Sequence, residues 1–186
     1  MSSATFFQLR DGVSLGILHV GGLLDPTGAD VTHLLGQGRP VELTSPLRAH
    51  VSTVGRLQRY FHTSFDVPLA VSSLRQAIRE RAPDDVQLVD VVGLGEKYSA
   101  LNVTRVVECV DEHTSKYSTL DAEVRPDRVG WFKHFERLCI RAESVPPDAE
   151  IFLVARWLGI VVRDRFRALM LAEGCDGAVF DPVAVS

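Results

Sequence analysis

Cys109 and His113 stand four residues apart with Asp111 and Glu112 between them, a set of side chains able to ligate a metal. A structural site needs two more ligands, such as His134 and Cys139, and no spacing brings them in. Cys109 and Cys139 therefore read as small apolar residues on buried strand faces, and no metal is expected. Gly93-Leu94-Gly95-Glu96-Lys97 invites a phosphate-loop reading. It lacks the GxxxxGKS/T spacing and opens no helix, so it reads as a β-turn between strands. Ser72-Ser73 sits at a strand-to-helix turn like an exposed nucleophile, but the GxSxG elbow is missing and helix capping accounts for both serines. The histidines at 19, 33, 50, 62, 113 and 134 follow no recurring motif. Asp111, Glu112, Asp121 and Glu123 could supply paired carboxylates, although such runs are usually solvated loop faces. No catalytic set, metal ligand or cofactor-binding residue is assigned.

Aromatic residues interleaved with acidic ones suit partner binding better, the rings supplying affinity and the charges steering approach. The candidate partner-binding set is Asp111, Glu112, Tyr117, Asp121, Glu123, Trp131 and Phe132. Trp157 reads more naturally as core packing.

Strands are expected at 5–9, at 13–20 ending in Gly21-Gly22, and at 41–43, with a short helix over 53–63 carrying Leu57, Tyr60 and Phe61 on one face. Asp25-Pro26-Thr27-Gly28 is a turn and 36–40 a loop. The strand at 69–71 leads to a helix in which Ser73 and Gln76 have capping-box spacing and Leu74, Ala77 and Ile78 face inward. Pro83-Asp84-Asp85 stops that helix before a strand at 86–92. The same order recurs with a strand at 160–162, Asp164 as a cap, Phe166, Leu169 and Met170 as the buried stripe, Gly174 as a stop, and a strand at 178–183. These strand–helix–strand units, near 67–92 and 159–183, lie about 91 residues apart. They fit either a duplication or two units that merely look alike. Further strands are expected at 98–110, 135–141 and 151–155, with 111–133 as a long loop. The fold class is α+β (mixed α/β), a central sheet with few helices. Residues 1–55 are expected as a β-rich extension packed on a main domain over 56–186, or the chain is one domain.

Composition narrows the function without choosing it. The chain has 186 residues, 46% hydrophobic, with Lys+Arg 20 against Asp+Glu 24. That disfavours disorder and general phosphate attraction, so no nucleic-acid partner is expected. The longest uncharged stretch near the start, 12–24, is too short and too glycine-rich to span a membrane. The odd cysteine count without CxxC suits a reducing compartment, and a cytoplasmic location is expected. Charge is uneven: −1 over 1–55, +3 over 56–81, −6 over 82–150 and 0 over 151–186.

The segments FFQLRDGVS (6–14), VPLAVSS (67–73), APDDVQLVDV (82–91), YSALNVTRVVECVDEHTSKYS (98–118) and IVVRDRFRALMLAEGCDGAVFDPV (160–183) resemble the polymorphic-toxin immunity proteins numbered family eleven, once a domain of unknown function abundant in myxobacteria. Two departures stand out. Arg163 follows Val162 where members often carry Ser, and Arg156-Trp157-Leu158-Gly159 is a reduced form of a Trp/Gly-rich stretch. The resemblance implies a non-catalytic inhibitor that binds a cognate protein toxin, encoded by an adjacent gene, inside the producing cell. The acidic segment could then act as a phosphate mimic in a nuclease cleft. The alternative from a different class is a small cytoplasmic hydrolase using carboxylate and His groups of 111–134; a self-associating structural domain is a third option. Oligomeric state is left open.

Overall fold

Apolar runs such as Phe6-Phe7, Ile151-Phe152-Leu153-Val154 and Ile160-Val161-Val162 have no polar face, which is the pattern of strands covered on both sides. A computed structural model, describing residues 5–12 and 15–186, shows what covers them. The strands are β1 (Phe6–Asp11), β2 (His19–Leu24), β3 (Leu47–Thr53), β4 (Tyr60–His62), β5 (Pro68–Val71), β6 (Val86–Leu94), β7 (Glu96–Val103), β8 (Val106–Val107), β9 (Lys116–Thr119), β10 (Phe132–Arg137), β11 (Cys139–Ile140), β12 (Ile151–Val154), β13 (Ile160–Arg163) and β14 (Ala178–Val185). Two short helices, α1 (Arg75–Arg81) and α2 (Asp164–Ala172), join them among the described residues. The class is α+β and sheet-rich, but two six-stranded sheets replace the single central one expected.

The first sheet runs β2-β3-β6-β7-β5-β4 and the second β11-β14-β1-β13-β12-β8. Each closes on itself. In the first, Val20 bridges Thr63 just past β4, and Ser64 N donates to Val20 O at 3.0 Å. In the second, the chain leaving β8 bridges Val110 to Ile140, with Arg141 N donating to Cys109 O at 2.8 Å. Closure pairs the outer strands of each sheet with one another, which shortens the open edge that could template aggregation. One apolar cluster, containing Phe6, Phe152, Val154 and Val161, fills the second barrel. Their neighbours Phe7, Leu9, Ile151, Leu153, Ile160 and Val162 point the opposite way and join the cluster of the first barrel. The period-2 alternation of strands thus makes β1, β12 and β13 a shared wall.

The two barrels have one topology. Matching β4-β5-β7-β6-β3-β2 to β12-β13-β1-β14-β11-β8 preserves every pairing sense, including the parallel pairs β3–β6 and β11–β14. The parallel Val20–Thr63 bridge matches the parallel β8–β12 pair, and the antiparallel β2–β3 pair matches the antiparallel Val110–Ile140 bridge. Each helix connects equivalent strands, β5 to β6 and β13 to β14. In the second barrel the place of β7 is filled by β1, from the other end of the chain. The contacts β1 with β4 and β12 with β7 exchange under this matching, as an isologous two-fold arrangement requires.

Several local expectations change for tertiary reasons. Residues 53–63 form no helix: Tyr60 and Phe61 are buried in β4, paired with Ala70 and Leu69. Residues 41–43 form no strand, because Val41 N and O are bound by the Gln87 side-chain amide at 2.9 and 2.7 Å. β2 begins at His19 and passes through Gly21-Gly22; a Cβ on Gly22 would meet Asp30 Oδ2 at 2.5 Å. Val13 and Ser14, the start of that expected strand, lie outside the described residues. No side chain caps either helix. Ser73 Oγ instead accepts from Arg59 Nη2 at 2.9 Å, Gln76 bonds Glu80, and Asp164 opens α2 and pairs with Arg167. The 98–110 segment breaks at Thr104-Arg105, whose N–H groups turn to Asp85 O. The 111–133 segment contains β9, paired with β10, while 135–141 divides between β10 and β11. The turn at 25–28, the loop at 36–40 and the β6–β7 hairpin over Gly93–Gly95 fall where expected.

Reciprocal aspartates join the halves. Asp85, after α1, accepts from Glu150 N at 2.7 Å just before β12, and from Arg105 Nε at 2.7 Å. Asp176, after α2, accepts from Arg59 N at 2.6 Å just before β4, and from Arg56 Nη1 at 3.0 Å. Gly177 beside it is obligatory, since a Cβ there would lie 2.1 Å from Tyr60 O. The Asp85 side chain is 2% exposed and that of Asp176 48%. Removing Asp85 strands buried donors, so Asp85→Ala should cost about 3 kcal/mol in urea unfolding, the usual scale for breaking a buried charge pair. Asp176→Ala should cost about 1 kcal/mol, as expected for a partly solvated hydrogen bond. Equal losses would show that burial does not rank the two latches.

Candidate partner-binding site between two strained turns

Equivalent turns of the two barrels face each other. Turn 63–67 joins β4 to β5, closed by Thr63 N donating to Val67 O at 3.0 Å. Thr63 Oγ1 accepts from Phe65 N and Val67 N, both at 3.3 Å. Turn 155–159 joins β12 to β13, closed by Val154 N donating to Gly159 O at 3.0 Å. Among the described residues, the non-glycine positions with positive φ are Asp66 (57°), Arg156 (61°) and Leu158 (66°), all in these two turns. A left-handed backbone costs a non-glycine residue on the order of 1–3 kcal/mol and persists only where surroundings enforce it. Gly159 is one such constraint: a Cβ there would lie 2.3 Å from the Trp157 ring.

The enforcing groups around turn 155–159 come from the long excursion after β8. Arg156 forms an ion pair with Glu112, and its guanidinium sits 4.7 Å from the Phe132 ring centre. Phe132 N donates to Arg156 O at 2.8 Å. Tyr117 donates its hydroxyl to Glu112 Oε2 at 2.9 Å and packs edge-on against Phe132 at 4.8 Å. Trp157 meets Phe135 edge-on at 4.9 Å. Arg156 above all, with Tyr117, holds the Glu112 carboxyl below its ordinary value.

Among the described residues, Trp157 borders three depressions. One of about 200 Å³ lies between the turns, lined by Phe65, Asp66, Trp157, Leu158, Gln37 and Arg128. A second, about 310 Å³, is bounded by Asp11, His62, Asp66, Trp157 and Leu158. A groove of about 530 Å³ runs between Trp157, β10 and the outer ends of β1 and β14. Phe65 is 59% exposed at the tip of its turn. Trp157 is half-buried: it packs against the second core, as expected, and also borders all three hollows.

The residues singled out from sequence are dispersed along the ribbon. Glu112, Tyr117 and Phe132 come together beneath turn 155–159, and Phe132 is buried. Asp111 turns inward on its own loop, accepting from His113 N at 3.0 Å and from Thr114 Oγ1 at 2.8 Å. Asp121 does likewise with Glu123 N at 3.1 Å and Val124 N at 3.0 Å. Glu123 is exposed. Trp131 lies under Arg128 at 4.7 Å, and Arg128 reaches Gln37 Oε1 at 3.1 Å across the 200 Å³ hollow. Phe65, Asp66, Arg156 and Leu158 stand outside the set read from the sequence. The available signals were an aromatic residue in the polar turn Thr-Ser-Phe-Asp and the Arg-Trp-Leu-Gly tetrad.

Cys109 and Cys139 are buried, and burial pushes the Cys109 thiol up to about 12. His113 is exposed on its turn and His134 lines the groove. Among the described residues, no three His, Cys, Asp or Glu side chains are grouped to hold a metal ion. No helix among them is long and apolar enough to cross a membrane. The sequence profile of a family described as Immunity protein family (Imm11) matches residues 74–185. No curated protein matches the chain.

The Glu112–Arg156 pair makes the turn's support dependent on pH. A carboxyl held low in the folded state contributes stability above its unfolded pKa and loses it as pH falls through the lower folded value. The Trp157 indole N–H resonance should therefore shift below pH 4.5, the ordinary glutamate value. In Glu112→Gln the resonance should hold the low-pH position throughout. A Trp157 signal indifferent to both changes would remove Glu112 as the turn's support.

Proposed function

From the chain's membership of the immunity protein family Imm11, to which it belongs, we propose that it binds and neutralises a cognate polymorphic toxin in the cytoplasm of the producing cell, without catalysis of its own. The toxin is a protein encoded by an adjacent gene, and neither nucleic acid nor membrane is a partner. The supporting observation is the pair of strained, aromatic-tipped turns mounted on two closed barrels. A surface already rigid in the free protein loses little ordering entropy on association. Exposed or half-exposed aromatic rings next to arginines are the side chains that dominate such interfaces.

The ribbon residues belong to the same surface in two roles. Glu112, Tyr117 and Phe132 brace turn 155–159 from below, while Trp131, through Arg128, with Asp121 and Glu123 beyond it, flanks the hollow between the turns. Asp111 fixes the first bend of the excursion. The carboxylates of 82–150 are weaker candidates for a phosphate mimic than their sum suggests: Asp85, Asp90, Glu112, Asp127, Asp148 and Glu150 face arginines. For the hydrolase alternative, Asp111 and Asp121 direct oxygens at N–H groups of their own loops, and Glu112 at Arg156 and Tyr117.

Co-expression with the neighbouring gene product should relieve that product's toxicity and yield a co-purifying complex. Phe65→Ala removes an exposed ring, so it should weaken the complex at least tenfold, the scale of an interface hot spot. Stability should stay within about 0.5 kcal/mol of the original, as for surface changes generally. Neither protection nor binding would sink the pairing; full-strength binding by Phe65→Ala would move the interface off these turns.

A further inference from the structure

The 310 Å³ hollow beside Trp157 has chemistry that the aromatic surface around it does not explain. Its floor and walls are apolar at Leu9, Leu158 and Ile160, with the Trp157 ring on one side. At its mouth stand two carboxylates, Asp11 and Asp66, each with Oδ1 3.9 Å from His62 Nδ1. That separation is too long for a hydrogen bond. The His62 side chain is only 9% exposed, and the ring is oriented by the buried Tyr60 hydroxyl 2.7 Å from Nε2. Nδ1 is thereby aimed at the carboxylates and, among the described residues, has no partner within hydrogen-bond range.

The charged groups facing the hollow are Arg10, Asp11, His62 and Asp66. Arg10 is committed elsewhere, to an ion pair with Asp181. One imidazole therefore faces two carboxylates, and the balance favours a cation. The Asp66 side chain is 96% exposed beside the imidazole, so its carboxylate stands at the rim within reach of an arriving group. The volume sits at the small end of ligand-sized cavities, ~300–1,000 Å³.

We propose that this hollow receives an arginine side chain of the protein partner, its guanidinium lying on the Trp157 ring and bonding the Asp11 and Asp66 carboxylates. Arginine is favoured over lysine because a planar, weakly hydrated fork can stack on an indole while serving two carboxylates. The proposal rests on the partner-binding reading given above and names the chemistry the partner must present.

Two measurements separate this proposal from that reading. In a Trp131→Phe background Trp157 is the remaining tryptophan, and its fluorescence should respond saturably to N-acetyl-arginine amide. The neutral isostere N-acetyl-citrulline amide should leave it unchanged. Asp11→Asn with Asp66→Asn should weaken the arginine response at least tenfold. Asp66→Asn alone serves if the double variant fails to fold, because Asn tolerates the left-handed conformation. An equal response to citrulline, a response to calcium in place of arginine, or indifference to Asp66→Asn would overturn the proposal. The second measurement uses the neighbouring toxin. If the original chain protects and the double variant protects and binds equally well, the hollow is excluded and the wider reading stands. If the original chain neither binds nor protects, the pairing with that toxin fails, and the arginine titration still decides the hollow.

Discussion

Asp85 is the charge around which the two halves of the molecule are assembled. Its carboxylate is almost wholly buried and accepts from Arg105, which follows the first barrel, and from Glu150 N, at the entrance to β12 of the second. Burying that carboxylate without partners would be costly, so the placement of each segment supports the other. Asp176 performs the reciprocal task at the entrance to β4. Each helix is thus followed by an aspartate that fixes where the other half's strand begins. The strand that begins there is the one leading into the strained turn.

That arrangement explains how the turns are tolerated. Three left-handed non-glycine residues cost on the order of several kcal/mol together, a large fraction of a marginal stability. The cost is borne because both ends of each turn are inside closed sheets and the starts of β4 and β12 are pinned across the interface. Around turn 155–159 the Glu112, Tyr117 and Phe132 group adds further restraint. A less constrained scaffold would relax the turns and lose the hollows that border Trp157.

Much of the local architecture was legible. The unbroken apolar runs of β5, β12 and β13, the inward stripes at Leu74, Ile78, Phe166 and Met170, and the glycine turn at 93–95 follow from periodicity and backbone freedom. What escaped depends on partners distant in sequence. Asp85 looks like a helix stop until Glu150 is beside it; Val41 looks like a strand until the Gln87 amide replaces a strand partner. Tyr60 and Phe61 fit a helical stripe as well as a strand, and only the pairing with β5 decides. The charge segregation was real, but its meaning was internal. Arg81 and Arg165 converge on Glu150, and Arg105 on Asp85 and Asp148, so part of the acidic surplus binds the barrels to each other. Trp157 was legible as a packing residue, and only the facing turn reveals it as a rim as well.

The two halves differ most where the function is proposed to lie. In the first, residues 25–46 separate the first two strands as an irregular loop; in the second, residues 111–138 occupy the equivalent position and form the β9–β10 ribbon. These unlike insertions meet where Arg128 donates to Gln37 over the hollow between the turns. Strand order, helix placement and aspartate latches are shared because barrel closure and burial constrain them. The insertions carry no such constraint and are free to differ in length, charge and aromatic content. A surface assembled from two unlike loops above two equivalent turns can change its partner without disturbing the frame beneath, the separation of scaffold from recognition that loops on rigid sheets provide.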